Sequence, residues 1–230
     1  MTEPDRDLRI RPIAAPVREQ LVSSLRYALF SQRFLPGQRL PERELCELTG
    51  ASRTALREAL RQLEAEGLIN IVPHRGPSVT QIDARTADEI YQVREPLESL
   101  LAGLAAENAE DAQIGQLTDV AVQLKAAFVS GSASEIVDAK TQLYDLLFGL
   151  AGNDELETVL RRLIGRMGLI WPAMMVESGE AAASLSEISL VIDAIATKNS
   201  AAARDAMAAH IASARQLTRN YLTEASAQDS

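Results

Sequence analysis

The sequence predicts a mainly α-helical protein in two parts: a small N-terminal domain that ends in a β-hairpin, then a larger all-α helical bundle of about six helices. Three observations carry this. Apolar residues recur at helical spacing through most of the 230 residues. The exception lies near residues 68–82, where two short runs rich in β-branched residues alternate as strands do. Charge also divides the chain: residues 1–85 hold thirteen Arg, no Lys and eleven acidic residues, a balance of +2, whereas the remainder carries −11.

Residues 1–12 read as a flexible arm. Val17, Leu21, Leu25 and Leu29 then form one stripe of a helix over 17–32. "FLPGQRL" breaks it, Pro36-Gly37 being a turn signal. Leu40-Pro41 opens a short helix with Pro in its first turn and Glu42 and Glu44 near its positive end. That helix stops at Thr49-Gly50. Ser52 is suited to N-cap a second helix, which runs to Gly67, a residue able to take the left-handed conformation that ends helices. LINIV (68–72) and SVTQI (78–82), separated by residues 73–77, read as a hairpin with a basic tip. Helix, turn, helix and hairpin together make a winged helix-turn-helix over residues 13–82.

The stretch GASRTALREALRQLEAEGLI (50–69) places Arg53, Arg57 and Arg61 four apart on one helix face, while Leu56, Leu60 and Leu63 form another side that would be buried. Arginine binds a phosphate or a guanine edge through two parallel hydrogen bonds. Charge alone leaves a salt-bridged surface equally open. The fold adds direction: the second helix of such a domain offers its N-terminal residues to bases in the major groove, and a basic hairpin beside it reaches the backbone or minor groove. Double-stranded DNA is the expected partner. Arg61 lies farther along the helix and is left as a solvated residue or a partner of Glu58 or Glu64. His74 alone reads as an ordinary loop histidine, while Arg75-Gly76 joins charge to a backbone that permits close approach.

"LPGQRLPERELCELTGASRTALREALRQLEAEGLINIVPHRG" strongly resembles the DNA-binding domain of the GntR family of bacterial transcription regulators, across roughly residues 13–82. The resemblance implies DNA contacts at Arg43, Ser52, Arg53, Thr54, Arg57, His74, Arg75 and Gly76. Ala55 stands where many relatives have Pro or Thr, a departure that implies a changed base preference in an unchanged docking mode.

A short linker, residues 83–87, leads to a helical domain over 88–223 and a flexible tail over 224–230. Ile90, Val93, Leu97, Leu101 and Leu104, then Ile114, Leu117, Ala121, Leu124 and Phe128, mark two helices. Further helices are expected near 133–151, 154–176, 181–198 and 200–223, with Asn153 and Asn199 at breaks and Pro172 kinking or ending its helix. Such a bundle can enclose a ligand pocket. Three polar residues fall on apolar faces: Arg94 in the first stripe, Lys140 among Ile136, Leu143 and Leu147 with Tyr144 beside it, and His210 among Met207, Ile211 and Leu217. A buried cation is costly, so these side chains reach the rim or meet a carboxylate from the protein or from a ligand.

"VREPLE" (93–98), "AGN" (151–153) and "DAMAAHI" (205–211) resemble the C-terminal effector domain (FCD) of the FadR-like branch of the GntR family, in its shorter VanR-type version. Many members hold a divalent metal with one Asp and three His. Here those positions carry Lys140, Tyr144, Ile188 and His210. One imidazole cannot make a metal site, so no metal and no other cofactor is expected. An ammonium in place of the Asp suggests a substitute for the metal's attraction of an anion, with Lys140, Tyr144, His210 and Arg94 lining a pocket for an organic acid.

No apolar run approaches the roughly 18 residues that span a membrane, and the N-terminal MTEPDRDLRIRP lacks a signal-peptide core, so the cytoplasm is expected. Cys46 is the only cysteine and is expected to be a small buried residue. No nucleophile and base at meaningful spacing, no phosphate loop and no metal cluster point to an enzyme. The expected function is a homodimeric regulator, with repression implied by the resemblance, that reads a near-palindromic operator under control of a small-molecule effector. The alternative is a DNA-binding regulator without such a ligand, its helical domain serving dimerisation or protein interaction.

Overall fold

The computed structural model describes residues 15–130, 133–171, 173–174 and 181–228. The expected arm, 1–12, and the expected break at Pro172 lie outside the described residues. Among these the elements run α1 (Ala15–Phe30), α2 (Glu42–Thr49), α3 (Arg53–Ala65), β1 (Ile69–Val72), β2 (Gly76–Val79), α4 (Ala84–Asn108), α5 (Asp111–Ser130), α6 (Ala133–Ala151), α7 (Asp154–Gly168), α8 (Ala181–Ala196) and α9 (Ser200–Gln228). This is a winged helix-turn-helix followed by a helical bundle, mainly α as the sequence predicts.

Leu21, Val22, Leu25 and Leu29 of α1 meet Leu45 of α2 and Leu56, Leu60 and Leu63 of α3 in the first core. Cys46 packs at its edge, half-buried rather than buried. Gly50 ends α2 at φ 68°, and the Ser52 hydroxyl starts α3 by accepting the Ala55 N–H at 3.3 Å. The hairpin differs from expectation: β2 begins at Gly76, so the tip is three residues rather than five. His74 and Gly76, at φ 64° and 77°, turn the chain tightly. Pro77 faces Ile71 in the ladder at a pair whose backbone groups point outward, the Ile71 N–H donating to the Glu64 carboxylate at 3.1 Å and the Pro77 carbonyl accepting from Leu40, so the N–H that proline lacks is not missed between the strands. The segment before α2 adds a third edge, the Leu40 N–H donating to the Pro77 carbonyl at 2.8 Å.

Asp83 accepts the Thr86 N–H at 2.7 Å, so residues 83–87, expected as a linker, form the cap and first turn of α4. Helix α4 runs antiparallel along α9, joined by Asp88 to Arg215 at 2.7 and 2.9 Å and by the Ser99 hydroxyl to the Arg204 carbonyl at 3.0 Å. Helices α6, α7 and α8 also pack on α4. Val93, expected in the buried stripe, is 47% exposed; the inward face of α4 is Ile90, Tyr91, Arg94, Glu98 and Leu101. Helix α7 ends at Gly168, short of the expected 176, and α9 continues helically to Gln228, through most of the expected tail.

The domains meet where α7 ends. Leu169 is buried in the core of the winged domain, although it lies in the second half of the chain, while the adjacent Ile170 and Trp171 belong to the bundle core. Gly168 admits Phe30 of α1, whose ring would stand 3.1 Å from an added Cβ. Leu169→Ala is therefore expected to destabilise the winged domain by about 2–5 kcal/mol, read by chemical denaturation. A loss confined to the bundle would refute this shared core.

Candidate functional site

Two regions of the structure carry chemistry. The first is the outer face of α2, α3 and the hairpin. Arg53 is the first residue of α3; Ser52, Arg53 and Thr54 are exposed, and Arg53 carries no hydrogen bond or ion pair among the described residues. Arg57 stands one turn on and pairs with Glu42 at the start of α2, Nε to Oε2 2.9 Å. Arg43, also exposed, pairs with Glu47 at 3.1 Å. His74 and Arg75 are exposed at the hairpin tip, with Gly76 half-buried behind them. Arg61 pairs with Glu58 at 3.2 Å, one of the two partners the helix spacing offers it.

The second region lies inside the bundle. Arg94 Nε donates to Glu98 Oε1 at 2.5 Å, and the Tyr144 hydroxyl donates to Glu98 Oε2 at 2.6 Å. Arg94 also approaches the Tyr144 hydroxyl at 3.4 Å and stacks over the Tyr91 ring at 4.9 Å. Glu98, 0% exposed, is thus the carboxylate that permits Arg94 to be buried. Desolvation alone would weaken the guanidinium as a base, but Glu98 and the two tyrosines outweigh it and keep Arg94 charged. Burial first, and the Glu98 charge next, hold Tyr144 well above the usual phenol range, so it stays a neutral donor.

Among the described residues Lys140 has no such carboxylate. Its ammonium lies 3.3 Å from the centroid of the Trp171 ring and makes no hydrogen bond or ion pair among the described residues. Desolvation, then the Arg94 charge, push its pKa well below the usual lysine range, with Glu98 opposing them. Lys140, Arg94 and Tyr144 line one cavity of about 710 Å³ between α6, α7 and the winged domain. His210 does not. It lies in a neighbouring hollow of about 320 Å³ that shares Trp171, and its Nδ1 is 2.9 Å from Glu187 Oε2. Burial, then the nearby Lys140 charge, lower its pKa, so the neutral ring donates its Nδ1 proton to Glu187.

These residues do not fit a divalent metal. Lys140 offers a cation or a donor, the Tyr144 hydroxyl is committed to Glu98, Ile188 is a buried hydrocarbon, and His210 is engaged with Glu187. Among the described residues no group of three or more His, Cys, Asp or Glu converges.

Three members of this cluster escaped the sequence reading: Glu98, Trp171 and Glu187. Glu98 had a signal, because it stands four residues after Arg94 on one helix, but the same spacing marks ordinary surface pairs. Trp171 and Glu187 reach the site only through the packing of the bundle.

Comparison with known proteins matches residues 17–79 to the family described as bacterial regulatory proteins, gntR family, and residues 89–213 to the FCD domain. The HTH-type transcriptional regulator YdhC of Bacillus subtilis is 28% identical over 196 residues, 85% of this chain and 88% of that protein. The Nta operon transcriptional regulator of Aminobacter aminovorans is 33% identical over 60% of this chain and 65% of its own. Among solved structures, Escherichia coli McbR/YncC superposes with a TM-score of 0.79 at 24% identity, covering 89% of this chain and 98% of that one, which speaks to the fold. No described helix is long and apolar enough to cross a membrane.

Proposed function

The chain belongs to the GntR family of bacterial regulatory proteins, with an FCD domain as its C-terminal half, and from that premise we propose that it is a repressor released by an organic acid bound over Lys140. It binds DNA as a homodimer. One recognition helix reads only a short half-site, so a two-fold pair of them reads a near-palindromic operator. Arg43, Ser52, Arg53, Thr54, Arg57, His74, Arg75 and Gly76 form the DNA contact.

The observation that carries the effector reading is the state of charge around Lys140. Arg94 and Glu98 neutralise one another, which leaves the ammonium of Lys140 facing the cavity with the Trp171 ring as its one contact among the described residues. An acid entering the cavity supplies the missing anion. Because Lys140 is held below its usual pKa, a carboxylate bound beside it raises that pKa again, so between the free and the bound pKa binding takes up a proton. Calorimetry of the same acid in buffers of different ionisation enthalpy should therefore report proton uptake; proton release would contradict this account.

The test begins with fragmented DNA from the source genome, retained on the purified protein and sequenced. An inverted repeat should be enriched. A panel of carboxylic acids is then screened for release of that DNA and for thermal stabilisation, which reaches about 2.7 kcal/mol at a hundredfold excess over Kd. Enrichment without any stabilising acid would leave the regulator and remove the effector.

A further inference from the structure

We propose that the cavity is a composite site, taking an acid with one anionic group and an extended aryl or alkyl body that reaches from Lys140 across to helix α1 of the DNA-binding domain. This rests on the reading that the cavity holds an organic acid, and it adds the ligand's shape and its second wall. One side of the cavity comes from the bundle: Lys140 and Tyr144 on α6, Ile164 on α7, and Trp171. The facing side is Tyr27 and Phe30 of α1 with Leu68 before the hairpin. The volume of about 710 Å³ lies in the range that takes extended, drug-sized molecules, roughly 300–1,000 Å³.

The charges set the ligand's single anionic end. Arg26 at the α1 wall is satisfied by Glu66 at 2.8 Å, and Arg161 by Asp145 at 2.7 Å and Glu157 at 2.6 Å. Arg162 and Asp138, both exposed on the lining, oppose each other in sign. Lys140 remains the one half-buried cation without a carboxylate among the described lining residues. The rest of the lining is mainly apolar, with Ser23, Gln62, Thr141 and Thr158 its uncharged polar members, and Tyr27 presents a ring that is 45% exposed. A ligand touching both walls binds best in this arrangement of the two domains, and only such differential affinity lets a ligand shift one arrangement against another. Beside it, Leu169 in one core and Trp171 in the other, two residues apart, tie the same two domains together.

The test is calorimetric titration of the full chain with benzoate, 3-phenylpropanoate and 5-phenylpentanoate, with 5-phenylpentanamide as the uncharged control. Affinity should rise at least tenfold from the shortest acid to the longest, and the amide should not bind. Tyr27→Ala should lose most of that gain for 5-phenylpentanoate, and Ser23→Trp, which fills the α1 side from an exposed position, should do likewise. Lys140→Met should abolish binding of all three acids. A flat series, or a gain retained in both α1-side variants while Lys140→Met still abolishes binding, overturns the composite site and leaves the acid reading standing. If no acid binds the wild type, or Lys140→Met binds them equally, the acid reading falls and this inference with it.

Discussion

An Arg53→Ala, Arg57→Ala double variant is expected to lose specific DNA binding by roughly 30-fold to 10⁴-fold, since each base-contacting arginine contributes about 1–3 kcal/mol. The two single variants should differ. Arg53 stands at the start of α3 with no competing partner among the described residues, so its DNA contact costs none of the bonds they make. Arg57 must exchange Glu42 for DNA, and its net contribution is smaller by whatever that pair was worth. It follows that Glu42→Gln, which frees Arg57, should raise affinity while Arg53→Ala lowers it most. Competition binding against scrambled DNA, repeated over a salt series, separates the roles. A base contact reduces discrimination between sequences, whereas a phosphate contact weakens all sequences alike and lowers the salt slope by about one. Operator affinity unchanged in the double variant would refute the assignment of this face.

The DNA-binding half was legible because its signals are local. A leucine stripe, a Gly at the left-handed end of α2 and a Ser at the start of α3 act within a few residues of themselves. The hairpin register was less so. Pro77 looks like a loop residue until the Ile71 N–H that it faces is seen to turn outward to Glu64 and its own carbonyl outward to Leu40. In the bundle the polar residues at apolar positions were visible, and the structure places Arg94, Lys140 and Tyr144 around one cavity. Their explanation was not visible, because the apolar count put Val93 inside and left Glu98 unremarked. The helix instead turns its ionic pair inward, since Arg94 and Glu98 cancel each other's charge. Leu169 shows the limit most plainly: no periodicity within α7 tells that the residue after it completes the core of a domain formed by the first third of the chain.

Lys140→Met is expected to abolish binding of acids and, in the same protein, to raise the thermal midpoint. Both follow from one cost. In the folded chain the ammonium is desolvated and set beside Arg94, so its pKa falls below the usual lysine value of 10.5. Between those two values the unfolded chain holds a proton that the folded chain gives up, so stability rises with pH through that window and is lost as pH falls through it. Methionine has comparable length, packs against Trp171 and carries no charge to desolvate. Its advantage should be largest below the folded pKa of Lys140 and shrink towards 10.5, where both states of the wild type are neutral. Thermal scans of both proteins across pH, each with and without an acid that stabilises the wild type, check this. Where the acid is present the order should reverse or narrow, because the carboxylate offsets for Lys140 the charge that methionine avoids. A Lys140→Met protein less stable at every pH would mean that the ammonium already has its anion within the fold, and the cavity would then have no call on an acid from outside.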